Sequence, residues 1–250
     1  MKSLLKEIAL SVTLLASTTL VNAQTDTIYV YGPGGPLSAM KACAVQFTAI
    51  TKTPVKVVGG PESKWLASAE KNADIIYGGA EYMLTQFIQA HPNMVNEASR
   101  TALYQRRAAI LVRPGNPKKI NSIRDLIRKG IKILDVNGAG QLGLWEDIAG
   151  KENLIAPIQK NIGQSFANTA LGIEGWKTDR SFDAWITYAS WHKNLKDITM
   201  IVEFPVSLRV YRGTPVVLTQ NKKNTGNAQK FVDFLKSPAG HRIFQKWGWE

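Results

Sequence analysis

The chain has 250 residues, with 31 Lys and Arg against 19 Asp and Glu, a formal net charge of +12 and one cysteine. That length supports one large α/β unit or two lobes of about a hundred residues each, and the charge favours acidic partners. A lone Cys43 excludes an internal disulfide, and the scattered His91, His192 and His241, with no CxxC or HExxH pattern, argue against a preformed metal site.

Residues 1–23 begin with Lys2 and Lys6, pass through the largely apolar stretch 8–16, and reach Val21-Asn22-Ala23 before Gln24. This is the pattern of a secretory signal peptide cleaved after Ala23. Lys2, Lys6 and Glu7 are its only charged residues, so the basicity belongs to the remainder of the chain. The apolar stretch is short and interrupted by Ser and Thr, and no later segment supplies about eighteen unbroken apolar residues. An exported, soluble chain is expected. Nucleic acid is an unsuitable partner in that compartment, and Lys and Arg form no dense run. Cys43 lies inside the first expected helix rather than directly after the leader, and it reads as a small buried hydrophobe.

A strand over 28–31 leads through Tyr31-Gly32-Pro33-Gly34-Gly35-Pro36 into a helix over 37–50. Glycines let the backbone approach a ligand, and Pro36 suits a first helical turn, whose amides lack intrahelical partners and point outward. The pattern recurs where a strand over 55–58 runs into Gly59-Gly60-Pro61-Glu62-Ser63 and a helix over 64–71. Either turn alone suits a plain strand-to-helix connection. In succession they predict two helix N-termini facing one crevice at the carboxyl end of a parallel sheet. A strand over 74–77 and a helix over 82–91 complete the first series.

An extended apolar run over 108–112 is stopped by Arg113-Pro114-Gly115-Asn116-Pro117. A second series follows, with a helix over 122–128, a strand over 132–136, a loop over 137–143, and strands over 164–167 and 183–187. Another extended run, 207–211, precedes the strand-like 215–218, and two helices end the chain. The pattern predicts two similar halves joined by two extended crossings. Arg106 and Arg107 begin one crossing, and Arg209 and Arg212 flank the other. A guanidinium there either grips a carboxylate or phosphate through paired hydrogen bonds or sits in a solvated or interlobe ion pair. Successive strand residues face opposite ways, so Arg106 and Arg107 cannot both enter a cleft. Trp185 reads as core, Tyr188 as the better ligand candidate, and Trp247 and Trp249 as packing for the last helix or a subunit contact.

Several segments together span nearly the whole chain after the leader. They are Tyr31-Gly32-Pro33-Gly34-Gly35-Pro36, Gly60-Pro61 followed by Trp65, Ala73-Asp74-Ile75-Ile76-Tyr77-Gly78, Asp183-Ala184-Trp185-Ile186-Thr187, and the ending from Phe234 to Trp249. They resemble type II periplasmic solute-binding proteins. Within that family the resemblance is to the group of the attaching-effacing associated adhesin Paa, accessory colonisation factor C and the major surface antigen of Campylobacter. The ending Phe234-Leu235-Lys236-Ser237-Pro238-Ala239-Gly240, with Ile243-Phe244 and Gly248, is similar to that of many type II binders, molybdate and sulfate binders included. It speaks for the fold and not for the ligand.

The resemblance implies an α/β, two-lobed fold, each lobe a mostly parallel sheet flanked by helices. Residues 24–103 and 214–250 would form the first lobe and 114–205 the second, with 104–113 and 206–213 as hinge crossings. Carried over from molybdate-binding relatives, the ligand-holding turns of the first lobe correspond to Gly34 and Gly35 and to Pro61, Glu62 and Ser63. Those of the second correspond to Gly138 through Gly140, to Asn168 and Thr169, and to Tyr188. The family's hinge arginine corresponds to Arg106, and Arg212 after Tyr211 is assigned on the same ground. Two departures bear on function. The loop after Gly140 runs through Gln141-Leu142 directly to Gly143 and lacks the longer Ser/Thr-rich stretch of the surface antigen, and the helix start at 168–173 lacks the expected serine and basic residue.

Two readings follow. In the first, the chain binds a small oxyanion or carboxylate of the sulfate, phosphate, citrate or phosphoglycerate class and also acts in adhesion or colonisation. In the second, it is a host-cell adhesin that keeps the fold around an inert cleft. The resemblance further implies a location in the periplasm or at the surface of a Gram-negative bacterium, and partners that include an inner-membrane transporter, a host-cell receptor and a second copy in a homodimer. No cofactor or metal is expected. Asp74, Asp135, Glu146 and Asp183 form no pair across a reacting group, and no Gly-x-Ser-x-Gly elbow accompanies a base, so no enzyme is expected.

Overall fold

In the computed structural model, which describes residues 27–221 and 223–250, the elements follow from where apolar side chains recur. The leader expected over 1–23 lies outside the described residues. Strand β1 (Ile28–Gly32) is almost wholly buried, and the helix after it, α1 (Leu37–Thr51), buries Ala39, Met40, Cys43, Ala44 and Phe47, the spacing of one helical face. Next come β2 (Val55–Gly59), α2 (Leu66–Asn72), β3 (Ile75–Tyr77) and α3 (Glu81–Ala90). The long strand β4 (Thr101–Val112) leads to β5 (Ile133–Val136), α4 (Leu144–Ala149), α5 (Ile155–Gln159), β6 (Ile162–Phe166), α6 (Thr169–Thr178) and β7 (Ala184–Tyr188). The chain closes with α7 (His192–Leu195), β8 (Met200–Glu203), β9 (Tyr211–Leu218), α8 (Thr225–Lys236) and α9 (Pro238–Lys246).

The strands form one nine-stranded sheet in the order β2-β1-β3-β9-β4-β7-β5-β6, with β8 also pairing β4. Strand β1 runs parallel to β2 and β3, and β5 runs parallel to β6 and β7. Between these parallel halves lie β9 and β4, antiparallel to each other and to their outer neighbours. Strand β4 serves both halves. Its stretch from Thr101 to Arg107 pairs with β9, Ala108 to Val112 pair with β7, and Ala109 to Val112 also pair with β8. Of the two extended crossings expected from the sequence, 104–113 falls almost wholly on β4, whereas only Tyr211 to Gly213 of 206–213 lie in β9.

Alternation along the first half's strands divides its core in two. Ile28, Val30, Ile75, Tyr77, Val216 and Leu218 pack with α1, α8 and α9, and Tyr31, Ile76 and Val217 pack with Trp65, Leu84 and Phe87 on the other face. In the second half Trp176, Phe182, Trp185, Tyr188 and Phe204 are fully buried in one cluster. Arg113 ties α6 to β4: it donates to the carbonyls of Trp176, Asp179 and Phe182 at 2.7–2.9 Å and stacks 3.8 Å from the Trp176 ring. Trp249 packs on Phe244 and donates its indole N–H to Thr214 Oγ1 at 2.9 Å.

Several expected elements differ. The helix expected over 122–128 is a 3₁₀ turn, Ile123–Ile127, closed at its start by reciprocal Ser122 and Asp125 bonds. The extended run expected over 207–211 begins as the 3₁₀ turn Val206–Leu208 behind Pro205, whose ring presets φ for a turn. The helix expected over 64–71 is divided into a 3₁₀ turn, Glu62–Lys64, and α2, with buried Trp65 between them donating to the Gly60 carbonyl at 3.1 Å. Among the described residues no helix is long and apolar enough to cross a membrane.

Phe47 meets Phe231 and Phe234 edge-on, with centroids 5.1 and 5.6 Å apart. Phe47→Ala should therefore lower stability by about 3–5 kcal/mol in urea unfolding; a loss well under 1 kcal/mol would show that this cluster does not hold the first half together. Burial pushes the Cys43 thiol up to about 12. The folded protein should therefore resist a thiol reagent at pH 8 and react fully in denaturant, and rapid labelling of the folded form would contradict the buried placement.

Candidate functional site

The carboxyl ends of the parallel strands open into turns that converge on one cavity of about 350 Å³. Strand β1 supplies Pro33, Gly34 and Gly35 ahead of α1, β2 supplies Gly60, Pro61 and Glu62, and β3 supplies Gly78 and Gly79 ahead of α3. From the second half come Ala139, Gly140 and Gln141 after β5, and Asn168, Thr169 and Ala170 at the start of α6. The starts of α1, α3 and α6 border this space, and first-turn amides of a helix lack intrahelical partners, although the amides of Gly60, Gly78 and Gln141 here already bond the carbonyls of Gly32, Pro215 and Gly138.

Arg106, on β4 between the two halves, also lines this cavity and is 2 % exposed. Its Nη2 donates to the Gly79 carbonyl at 2.7 Å, and its guanidinium lies 3.9 Å from the centre of the Tyr188 ring. Its Nε and Nη1 have no hydrogen-bond partner among the described residues. The charged or polar groups that act on it most are the phenols of Tyr188 and Tyr82, not a carboxylate, and burial pushes its pKa below the usual guanidinium value. A buried cation left this way costs several kcal/mol in desolvation. The adjacent turns can close on it only because they lack side chains: a Cβ at Gly35 would stand 2.6 Å from Nη1, and one at Gly140 would stand 3.0 Å from Nη2. Arg107 faces the other way, as strand alternation requires, and bonds Glu203 through two nitrogens at 2.8 and 2.7 Å and Glu250 at 2.9 Å.

Two phenols grip the turn after β5. Tyr82 of α3 donates to the Ala139 carbonyl, so the first half reaches the second across the cavity, and Tyr188 donates to the Gly140 carbonyl from beneath. Gln141 is buried, donating to Thr169 Oγ1 at 2.9 Å and accepting from Trp185 Nε1 at 3.1 Å. The Thr169 hydroxyl accepts that bond and keeps its own proton to donate. The side chain of Asn168 caps α6, accepting from the Leu171 amide at 3.1 Å.

Of the residues singled out in the sequence, Gly34, Gly35, Glu62, Arg106, Gly140, Asn168 and Thr169 share this cavity. Ser63, Gly138, Tyr188 and Arg212 do not line it. Tyr188 is fully buried, its hydroxyl pushed up to about 12 by desolvation, and it supports Arg106 and Gly140 instead. Arg212 is held by Asp147 of α4 at 2.5 Å. Ser63 is exposed in its 3₁₀ turn, and Gly138 sits against the backbone of Ala167. Sequence reasoning passed over the Gly78-Gly79 turn, although it repeats the pattern of strand, Gly-Gly and helix. It also passed over an apolar side of the cavity formed by Trp65, Met83, Phe87 and Ile173, which Trp191, placed near the cleft by its position after the strand over 183–187, joins. Only the i, i+4 spacing of Met83 and Phe87 marks a shared helix face there.

The family model for bacterial extracellular solute-binding proteins matches residues 28–250. No curated protein sequence matches the chain significantly. Peb3 from Campylobacter jejuni has a solved structure that superposes with a TM-score of 0.81 at 31% identity, covering 89% of this chain and 99% of that one. L-phospholactate-bound PEB3 gives a TM-score of 0.83 at 31% identity over the same shares. The sulfate-binding protein SubI from Mycobacterium tuberculosis shares the fold, with a TM-score of 0.73 at 18% identity over 89% of this chain and 86% of that one. This chain belongs to the bacterial extracellular solute-binding protein family and has the α/β fold of the type II periplasmic binding proteins.

Proposed function

We propose that this solute-binding protein takes a small anion, an oxyanion or a carboxylate, in the cavity between its halves, with Arg106 as the counter-ion. The observation that carries the reading is the buried guanidinium with two unpartnered nitrogens. An anion there replaces missing hydrogen bonds and offsets the cost of the buried charge. The amides of the Gly34-Gly35 turn, the opening of α6 and the Thr169 hydroxyl supply neutral donors around it. Glu62 contributes through its backbone, because its carboxylate is exposed and lies 3.3 Å from His91 Nε2. L-phospholactate, the anion in the PEB3 structure, is an organic phosphate and fits the proposed class.

Residues 24–103 with 214–250 and residues 114–205 act as the two lobes, and 104–113 and 206–213 act as the hinge between them. Tyr82 on Ala139, Arg212 on Asp147 and Ser38 on Asn194 at 3.0 Å would then hold the closed form. Export through a cleaved leader rests on the pattern of residues 1–23, and delivery to an inner-membrane transporter, homodimerisation, and an adhesion or colonisation role of the Paa group rest on the resemblance. An inert cleft is the weaker alternative, since it leaves the desolvation cost of Arg106 without a return.

Thermal unfolding against sulfate, phosphate, molybdate, citrate and phosphoglycerate, with chloride matched for ionic strength, should show a saturable rise in midpoint for at least one anion. No rise beyond chloride, in protein stripped of carried-over ligand, removes the proposal. Arg106→Gln should weaken that anion by more than about tenfold, since hydrogen bonds to charged groups contribute about 1.5–3 kcal/mol each. The same variant, without anion, should unfold no earlier than the parent, because an uncompensated buried charge has been removed. Equal anion affinity in parent and variant would take Arg106 out of the site.

A further inference from the structure

The cavity has two chemically distinct regions. Around Arg106 the lining is backbone: Gly35 and Gly140 stand against the guanidinium, and Gly79 accepts its Nη2 hydrogen bond. An apolar wall begins beside Gly79, where a Cβ would lie 3.2 Å from Met83 Sδ. The wall continues through Phe87, one turn along α3, to Trp65, whose ring centre is 5.7 Å from that of Phe87. Ile173 of α6 and Trp191 face the same space from the second half. Trp65 and Phe87 also belong to a buried cluster, but Met83 is half-buried and belongs to none of them. The indole N–H of Trp65 is already bonded to Gly60, so what it offers is ring surface.

An inorganic oxyanion makes no use of that wall. Its charge would be met entirely within the turns at Arg106, while the thioether and rings remained against water inside a concave site, which is where apolar surface usually meets a ligand. The cavity's volume of about 350 Å³ reaches the range of organic-ligand sites, about 300–1,000 Å³, far above the roughly 30 Å³ share of one water. Resting on the anion reading above, we infer that the solute is an organic anion bearing an aromatic or branched apolar group. Its charged head meets Arg106, and its body lies on Trp65, Met83, Phe87 and Ile173.

Calorimetric titration with two matched series tests this: phosphate, methyl phosphate and phenyl phosphate, and acetate and phenylacetate. In the series whose head group binds, the phenyl member should bind at least tenfold more tightly than the small member. Met83→Gln and Ile173→Asn change half-buried residues, so both variants should fold, which their unaided thermal unfolding verifies. Each should reduce the ratio of phenyl to small-anion affinity at least threefold. Small anions or L-phospholactate binding with no gain from the phenyl group would overturn the apolar-body inference and leave the anion site standing. A phenyl preference untouched by both variants would overturn its placement on this wall. Failure of every anion in these series and in the panel from sulfate to phosphoglycerate above would overturn the anion reading, and this inference with it.

Discussion

The arrangement of the cavity depends on one buried charge. Arg106 sits where β4 passes from one half of the sheet to the other, 2 % exposed, with no carboxylate among the described residues to neutralise it. A guanidinium tolerates such a place better than an ammonium, because it is weakly hydrated and can stack, and here it stacks on Tyr188. One carbonyl, that of Gly79, satisfies part of its donor set. The rest of the positive field is directed into a space framed by backbone amides. Charge, dipoles and shape therefore agree at one point, which a basic surface alone could not achieve, since exposed charges are screened within about 10 Å at ordinary salt.

Sheet topology explains why this point exists. In each half, parallel pairing sends the carboxyl ends of neighbouring strands to the same edge, and the following turns must cross it to reach their helices. The antiparallel β4 and β9 bring these edges together and supply the arginine. Alternation then separates two adjacent arginines by function: Arg106 enters the cavity, and Arg107 binds Glu203 and Glu250 on the outside. Gly138-Ala139-Gly140 gains its orientation from two phenols that occupy the carbonyls of Ala139 and Gly140. Carbonyl oxygens that would repel an anion are thereby engaged elsewhere. Because Tyr82 and Tyr188 come from different halves, the turn's orientation depends on both.

Much of this was legible in the sequence, for specific reasons. The turn Gly32-Pro33-Gly34-Gly35-Pro36 between an apolar strand and a helix is a local pattern, and local patterns report local geometry. The opposed directions of Arg106 and Arg107 follow from strand periodicity alone. Elements of four to six residues, such as α4, α5 and β8, were missed because so few residues cannot display a period. Tyr188 was read as a ligand contact, whereas the structure stacks it beneath Arg106; the end of a strand predicts proximity to a site without saying which side of it a ring takes. Arg212 has the same chemistry as Arg106 and lies opposite it in register, but Asp147, distant in sequence, holds it. Such a partner cannot be seen without the fold.

The apolar wall was the least legible feature, and its cause is general. Trp65, Met83, Phe87 and Ile173 carry the composition and spacing of core residues, and two of them do belong to a core cluster. Only the absence of opposing atoms on one side distinguishes a wall from a core, and absence leaves no mark in a sequence. The glycines across the cavity are that absence: they hold Arg106 in place yet put no side chain against the wall. In the proposed reading, anion selectivity has two separable sources. Arg106 and the amides would select charge, with little preference for what the charge is attached to. The space between the glycine turns and the wall would select the attached group, and side-chain changes on α3 and α6 could alter it without disturbing the charge site. With these two controls, a binding fold could change its solute while keeping its sheet and its arginine.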